Sequence, residues 1–117
     1  QTTLFEERTQ DLAAMVDRLL RKHGKNIVGK QFATRRLADS MIDLFVLACV
    51  ISRVSAAIEA KGEAAAIYER NILEVFSGQV NRRVRGNFCK IDENDDAEII
   101  TLAEYALETE GFAWDIL

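Results

Sequence analysis

The stretch Leu44-Phe45-Val46-Leu47-Ala48-Cys49-Val50-Ile51 decides how this chain folds. It has no charged or amide side chain, and around it Phe32, Leu37, Met41, Leu44, Phe45, Ala48 and Ile51 recur at helical spacings. The segment from Lys30 to about Ala60 therefore reads as one helix, roughly 46 Å long. Between Leu44 and Ile51 the apolar side chains run all the way round the axis, and a helix apolar on every side must be covered on every side. Either the rest of the chain wraps it, the simpler arrangement in a small bundle, or a second protein surface completes the burial. The uninterrupted run is far shorter than the ~20 residues a bilayer crossing needs, so no membrane span is expected.

On the N-terminal side, Leu12, Met15, Val16, Leu19 and Leu20 share one face of a helix from about Thr3 to His23, with Thr3 and Glu6 spaced as a capping box. Gly24 ends it. His23 falls in the last turn, where an imidazole meets unpaired carbonyls, and is assigned no chemistry. Gly24 to Gly29 is a linker. On the C-terminal side Gly62 closes the long helix, and a third begins near Glu63, with Tyr68, Ile72, Val75, Phe76, Val80, Val84 and Phe88 as its stripe. Gly78 and Gly86 interrupt it at ~1 kcal/mol each relative to alanine, which reads as close helix approach or a softened last turn. Asp92 to Asp96 is a turn that gives the fourth helix, Asp96 to Glu110, an acidic start. That helix carries Ile99, Leu102, Ala103, Ala106 and Leu107, and Gly111 stops it. The tail with Phe112, Trp114, Ile116 and Leu117 is too apolar to be left in water and is expected to dock on the bundle or on a neighbour. The fold class is all-α: an antiparallel four-helix bundle with one long central helix, a single domain over residues 1–117.

Composition agrees. A chain of 117 residues with 49% apolar residues and no proline is neither disordered nor collagen-like. Cys49 and Cys89 stand far apart, without CxxC spacing or a histidine cluster, so no zinc site or redox pair is expected and both thiols suit a reducing compartment. No basic segment followed by an apolar one opens the chain, and a start at Gln1 suits a segment of a longer protein. The net charge of −4 conceals an asymmetry: residues 1–91 hold all 15 Lys and Arg against 10 acids, while residues 92–117 hold 9 acids and no base. Opposite charges within one small domain are met most simply by each other, which argues against nucleic acid as a partner.

Residues arranged for chemistry are few. Asp92, Asn94 and Asp96 imitate the first ligands of a calcium loop, but Ala97 sits where glycine is required and Ala103 where a bidentate glutamate is required. Asp39 and Asp43 lie one turn apart, as an acid–base pair would, yet Arg35 and Arg36 precede them at ion-pair spacing. Arg82, Arg83 and Arg85, with Lys90, form the best candidate for anion contact, such as the phosphates of coenzyme A, against internal pairing with the acidic last quarter. Phosphate-loop, dinucleotide, nucleophile-elbow and zinc-helix motifs are absent from the sequence. The residues give no catalytic, cofactor-binding or metal-binding set for this segment.

Lys22-His23-Gly24-Lys25-Asn26-Ile27-Val28-Gly29-Lys30-Gln31-Phe32, then Arg36-Leu37-Ala38-Asp39, Ile42-Asp43-Leu44 and Ile51-Ser52-Arg53, resembles the C-terminal extension of very-long-chain acyl-CoA dehydrogenases over about residues 22–58. The resemblance implies a parent flavoenzyme in which FAD accepts a hydride from a fatty acyl-CoA and a glutamate removes the alpha proton, both in preceding domains. No residue here matches that glutamate or the flavin pocket. It implies also that this domain packs on the dehydrogenase body, in the region a second dimer covers in shorter tetrameric members, and is tied to dimer organisation and membrane-surface association. The location would be mitochondrial in a eukaryote and cytoplasmic in a bacterium.

Independently, a helix apolar around its girth suggests a docking module, with Phe32, Leu37, Leu44, Leu47, Ile51 and Trp114 as its packing or interface residues. The alternative is a freestanding helical interaction or homodimerising module. A membrane-surface domain ranks last, because no helix joins a lysine-rich face to an isolated apolar one.

Overall fold

The computed structural model describes residues 1–111, the side chain of Val28 excepted. The chain runs as α1 (Thr2–His23), a 3-10 segment (Gly24–Gly29), α2 (Gln31–Ala65), α3 (Ile67–Asp92) and α4 (Asp96–Glu108), with no strand among the described residues. The all-α class and the dominant second helix are as the sequence predicts. Trp114, with Phe112, Ile116 and Leu117, lies outside the described residues.

Several boundaries differ for local reasons. α1 starts at Thr2 with Gln1 as its cap residue and no side-chain cap bond, so Thr3 is already inside the helix and the Thr3–Glu6 box does not form. Gly62 turns α2 rather than ending it. Its φ of 81° and ψ of 163° break the helical path, and a last short segment continues to Ala65. Glycine meets this backbone demand at low steric cost. The Ala66 N–H bonds back to the Gly62 and Glu63 carbonyls at 3.1 and 3.2 Å, and Lys61 Nζ donates to Glu69 across the corner. α3 consequently begins at Ile67 instead of Glu63. Close helix approach explains neither glycine inside α3: a Cβ at Gly86 would meet nothing, and one at Gly78 would meet only the flexible Arg82 guanidinium at 3.4 Å.

The core is an α2–α3 hairpin. Leu44, Leu47 and Val54 of α2 meet Leu73, Val80 and Val84 of α3, and α1 adds Phe5 and Leu12 against the seam. Leu19 of α1 and Leu37 of α2 are also buried, outside this cluster. Ser40, fully buried, donates to the Arg36 carbonyl at 2.9 Å and accepts from Asn87 Nδ2 at 3.4 Å, which satisfies the hydroxyl inside this seam.

The apolar girdle is wrapped on one side only. Leu44 and Leu47 are buried, but Phe45 is 70% exposed, and Val46 and Cys49 are exposed too. Two neighbours, α1 and α3, can cover only part of a cylinder, and α4 does not reach the back of α2. The shape records this: the Cα extents are 64 × 41 × 18 Å and the radius of gyration is 19.9 Å, against about 13 Å for a compact 100-residue domain. α2 also contains an 18-residue window of mean hydropathy 2.0, long and apolar enough by composition to cross a membrane. Counting only unbroken apolar runs misses that window, because single polar residues such as Ser52 interrupt it. Here the inner face of the same helix is packed against α3.

Candidate docking surface

The helical repeat divides α2 into strips. Leu37, Ser40, Leu44, Leu47 and Val54 form the buried strip, while Ile42, Phe45 and Cys49 lie on the opposite side, exposed. α3 is divided likewise: Leu73, Ser77, Val80 and Val84 point inward, and Tyr68, Ile72 and Val75 are exposed. Between the two helices an open trough is lined by Asp39, Ile42 and Asp43 of α2 and by Arg82, Arg83, Gly86, Asn87 and Lys90 of α3. α1 lies along another side of the hairpin, its first residues sharing a cleft with Ile51, Val54, Ile58 and Leu73.

The trough has a basic rim. Arg83 grips Asp43 through Nε at 3.0 Å and Nη2 at 2.9 Å, and its guanidinium lies 6.0 Å from the centroid of the Phe76 ring, within cation–π range. The hydrogen bond to Asp43 raises the Arg83 pKa further above its ordinary value. Arg82 and Lys90 show no ion pair among the described residues. Of the basic cluster seen in the sequence, the fold brings Arg82 and Arg83 together with Lys90 and leaves the exposed Arg85 outside the trough lining.

The two aspartates do not form an acid–base pair. Asp39 leans toward Arg35 at 3.9 Å, and Asp43 is held by Arg83. Arg36, expected to pair along the helix, instead donates from both terminal nitrogens to Asp96 of α4, at 2.7 and 2.8 Å. A half-buried, two-pronged partner outcompetes a one-point partner in solvent. Asp92 is likewise taken by Arg18 of α1, at 2.7 and 2.9 Å. Each guanidinium lowers the pKa of its aspartate through these hydrogen bonds. Asn94 binds the Lys90 and Ile91 carbonyls and accepts from the Asp96 N–H, so the oxygen-rich run is a helix-to-helix connector. Among the described residues no group of three His, Cys, Asp or Glu side chains is placed to hold a metal ion.

Of the remaining docking residues, Phe32 is half-buried with Arg36 stacked 6.0 Å above its ring, and it lines a cleft with Asn94, Ala97 and Ile100. Leu37, Leu44 and Leu47 are buried within the chain, and Ile51 is half-buried against the core. Ile42, Phe45, Ile72 and Val75, by contrast, are exposed. For Ile42 and Phe45 the signal in the sequence was the excess of apolar residues around α2, whereas Tyr68, Ile72 and Val75, expected in the stripe of α3, lie outside the buried face formed by Leu73, Ser77, Val80 and Val84. The described residues do not fit a flavin: their clefts are open grooves between helices, without a glycine-rich loop, and no flavin chemistry is assigned to them.

The described residues form an all-helical layer that leaves apolar side chains of α2, α3 and α4 exposed. Residues 1–111 match the family described as "ACAD9/ACADV, C-terminal domain", and the chain belongs to that family. Similar proteins include the mitochondrial very long-chain specific acyl-CoA dehydrogenases of Rattus norvegicus (33% identical over 91 residues), Bos taurus (32% over 91) and Homo sapiens (34% over 85). The rat alignment covers 78% of this chain and 14% of the relative, the human one 73% and 13%. The chain thus corresponds to a small part of the curated relatives it matches. No solved structure gives a significant match.

Proposed function

We propose that this chain is a non-catalytic packing domain of an FAD-dependent acyl-CoA dehydrogenase of fatty acid oxidation, seated on the dehydrogenase body and helping to organise a homodimer. One observation carries the reading: the exposed back of α2, with Ile42, Phe45 and Cys49, in a chain whose relatives are far longer. Burial of such a face yields about 25 cal/mol per Å² of apolar area, and the parent's own domains are held at high local concentration. Trp114 and the anion-contact role of Arg82, Arg83 and Arg85 belong to the same proposal, as does a compartment shared with the parent enzyme.

The test is made in the full-length protein. Phe45→Asp with Cys49→Asp changes only exposed positions, so the domain stays folded while its seat is lost. Limited proteolysis should then release this segment faster than from the unmodified enzyme, and the flavoenzyme should lose dimer in sedimentation. Unchanged cleavage and unchanged sedimentation sink the reading, as does a reading frame without a flavin-dehydrogenase region.

A further inference from the structure

The trough between α2 and α3 is polar apart from Ile42, and its charges are unevenly committed. Asp39 and Asp43 line one wall, and Arg82, Arg83 and Lys90 the other, with the half-buried Gly86 and Asn87 among the cations. Asp43 is taken by Arg83 through Nε and Nη2, and Asp39 faces Arg35 of its own helix at 3.9 Å. Asn87 turns its amide to the buried Ser40 hydroxyl at 3.4 Å. Arg82 and Lys90 are left as the cations of the trough without an ion pair among the described residues.

Gly86 separates them. Arg82, Gly86 and Lys90 follow one another at four-residue steps, so they share one line along α3, with the two cations about 12 Å apart along its axis. A glycine inside a helix lowers its stability, and close packing does not account for this one, because a Cβ there would meet nothing within 4 Å. The missing side chain leaves an open floor between two cations. Arg82 rests with Nη1 beside Gly78, 3.4 Å from where a Cβ of that residue would stand. Exposed and held by no ion pair, it reaches the floor by rotation about its own side-chain bonds. A guanidinium offers a phosphate two parallel N–H donors, and an ammonium adds a point charge.

We propose that the trough binds the diphosphate group of a dissolved small molecule, with Arg82 and Lys90 each holding one of its two phosphates over Gly86. A diphosphate suits this pair because its negative charge is divided between two linked centres, and each cation meets one. The carboxylates of the opposite wall, set against Arg83 and Arg35, fix the side on which the anion lies. The proposal rests on the anion-contact reading given above and sharpens it: Lys90 takes the place of Arg85, which lies outside the lining. It does not depend on how the domain is seated, which concerns the back of α2.

Isothermal titration of inorganic pyrophosphate into the 117-residue chain should show saturable one-to-one binding. Arg82→Gln and Lys90→Gln should each weaken it at least about tenfold, while Arg85→Gln, which removes the same charge outside the trough, should change it by less than about twofold. Gly86→Leu should weaken it by a factor similar to the first two, with unchanged helical circular dichroism and a melting temperature that does not fall, because leucine is the better helix former. Flotation with vesicles of phosphatidylcholine and phosphatidic acid separates a dissolved ligand from a lipid headgroup, and the chain should stay at the bottom of the gradient. Absence of saturable binding, equal losses in the three charge variants, binding indifferent to Gly86→Leu, or flotation that Arg82→Gln abolishes overturns the proposal. None of these outcomes touches the seat on α2, which Phe45→Asp with Cys49→Asp tests separately.

Discussion

α3 and α4 carry the same kind of sequence signal and meet opposite fates. Both have apolar residues at three- and four-residue spacing; α3 buries Leu73, Val80 and Val84 against α2, and α4 buries nothing. The difference lies in their connectors. The Gly62 corner lets the chain reverse so that α3 returns along α2, whereas the segment after Asp92 is fixed by Arg18, Arg36 and Asn94 in a direction that keeps α4 off the body. A periodic stripe states that a face is to be covered; the turn before it decides what can cover it.

The sharpest way to break the comparison is one substitution made in each helix environment. Leu47→Asp places an unpaired charge at a position with 0% exposure and should cost several kcal/mol, roughly 3–5, enough to unfold the domain in a urea titration. Leu107→Asp, at 81% exposure, should stay within about 0.5 kcal/mol in the same titration. Equal losses would show that α4 is packed after all. At the corner that separates the two fates, Gly62→Ala forces a side chain onto a φ of 81° and should destabilise by about 1 kcal/mol or more. An unchanged melting temperature would show that the corner relaxes into continuous helix.

Smaller effects sharpen the role of the pins. Arg36→Ala should cost about 1 kcal/mol, because the Arg36–Asp96 pair is only 17% and 20% exposed at its side chains and two-pronged. Its pH dependence has a definite sign. The Arg36 hydrogen bond depresses the Asp96 pKa in the folded state, so the stabilisation is complete above the ordinary carboxylate value of about 3.9 and fades as pH falls below it. It is gone once pH has dropped through the depressed folded value. Melting temperature followed downward from pH 6 should therefore fall more steeply in the unmodified chain than in Asp96→Asn. Parallel curves would mean that the connector is not held by this pair.

Much of the fold was legible because it rests on local periodicity. The stripes of Leu12 to Leu20, Phe32 to Ile51, Tyr68 to Phe88 and Ile99 to Leu107 each mark a helix, although Tyr68, Ile72 and Val75 of the third are exposed, and Gly24 and Gly62 mark breaks between them. The Arg36–Asp96 and Arg18–Asp92 pairs were hidden, since partners distant in the chain are indistinguishable beforehand from neighbours such as Arg36 and Asp39. Only the split between a basic body and an acidic end hinted at pairing of that kind. The exposed apolar face was half legible: the girdle announced surplus apolar surface, and the family match over residues 1–111 includes the stretch around Gln31-Phe32 and Arg36-Leu37-Ala38-Asp39.

By itself the sequence determined that this protein is helical, where its helices turn, that α2 is too apolar to stand alone, and to which family the chain belongs. Which side of α2 the chain covers, which arginine grips which aspartate, and that α4 stands away from the core were decided only in three dimensions. The physical reason is that helix formation follows side-chain spacing within a few turns, whereas covering a face depends on the direction in which each connector launches the next helix, and that direction involves a glycine corner before α3 and ion pairs between residues far apart in the chain before α4.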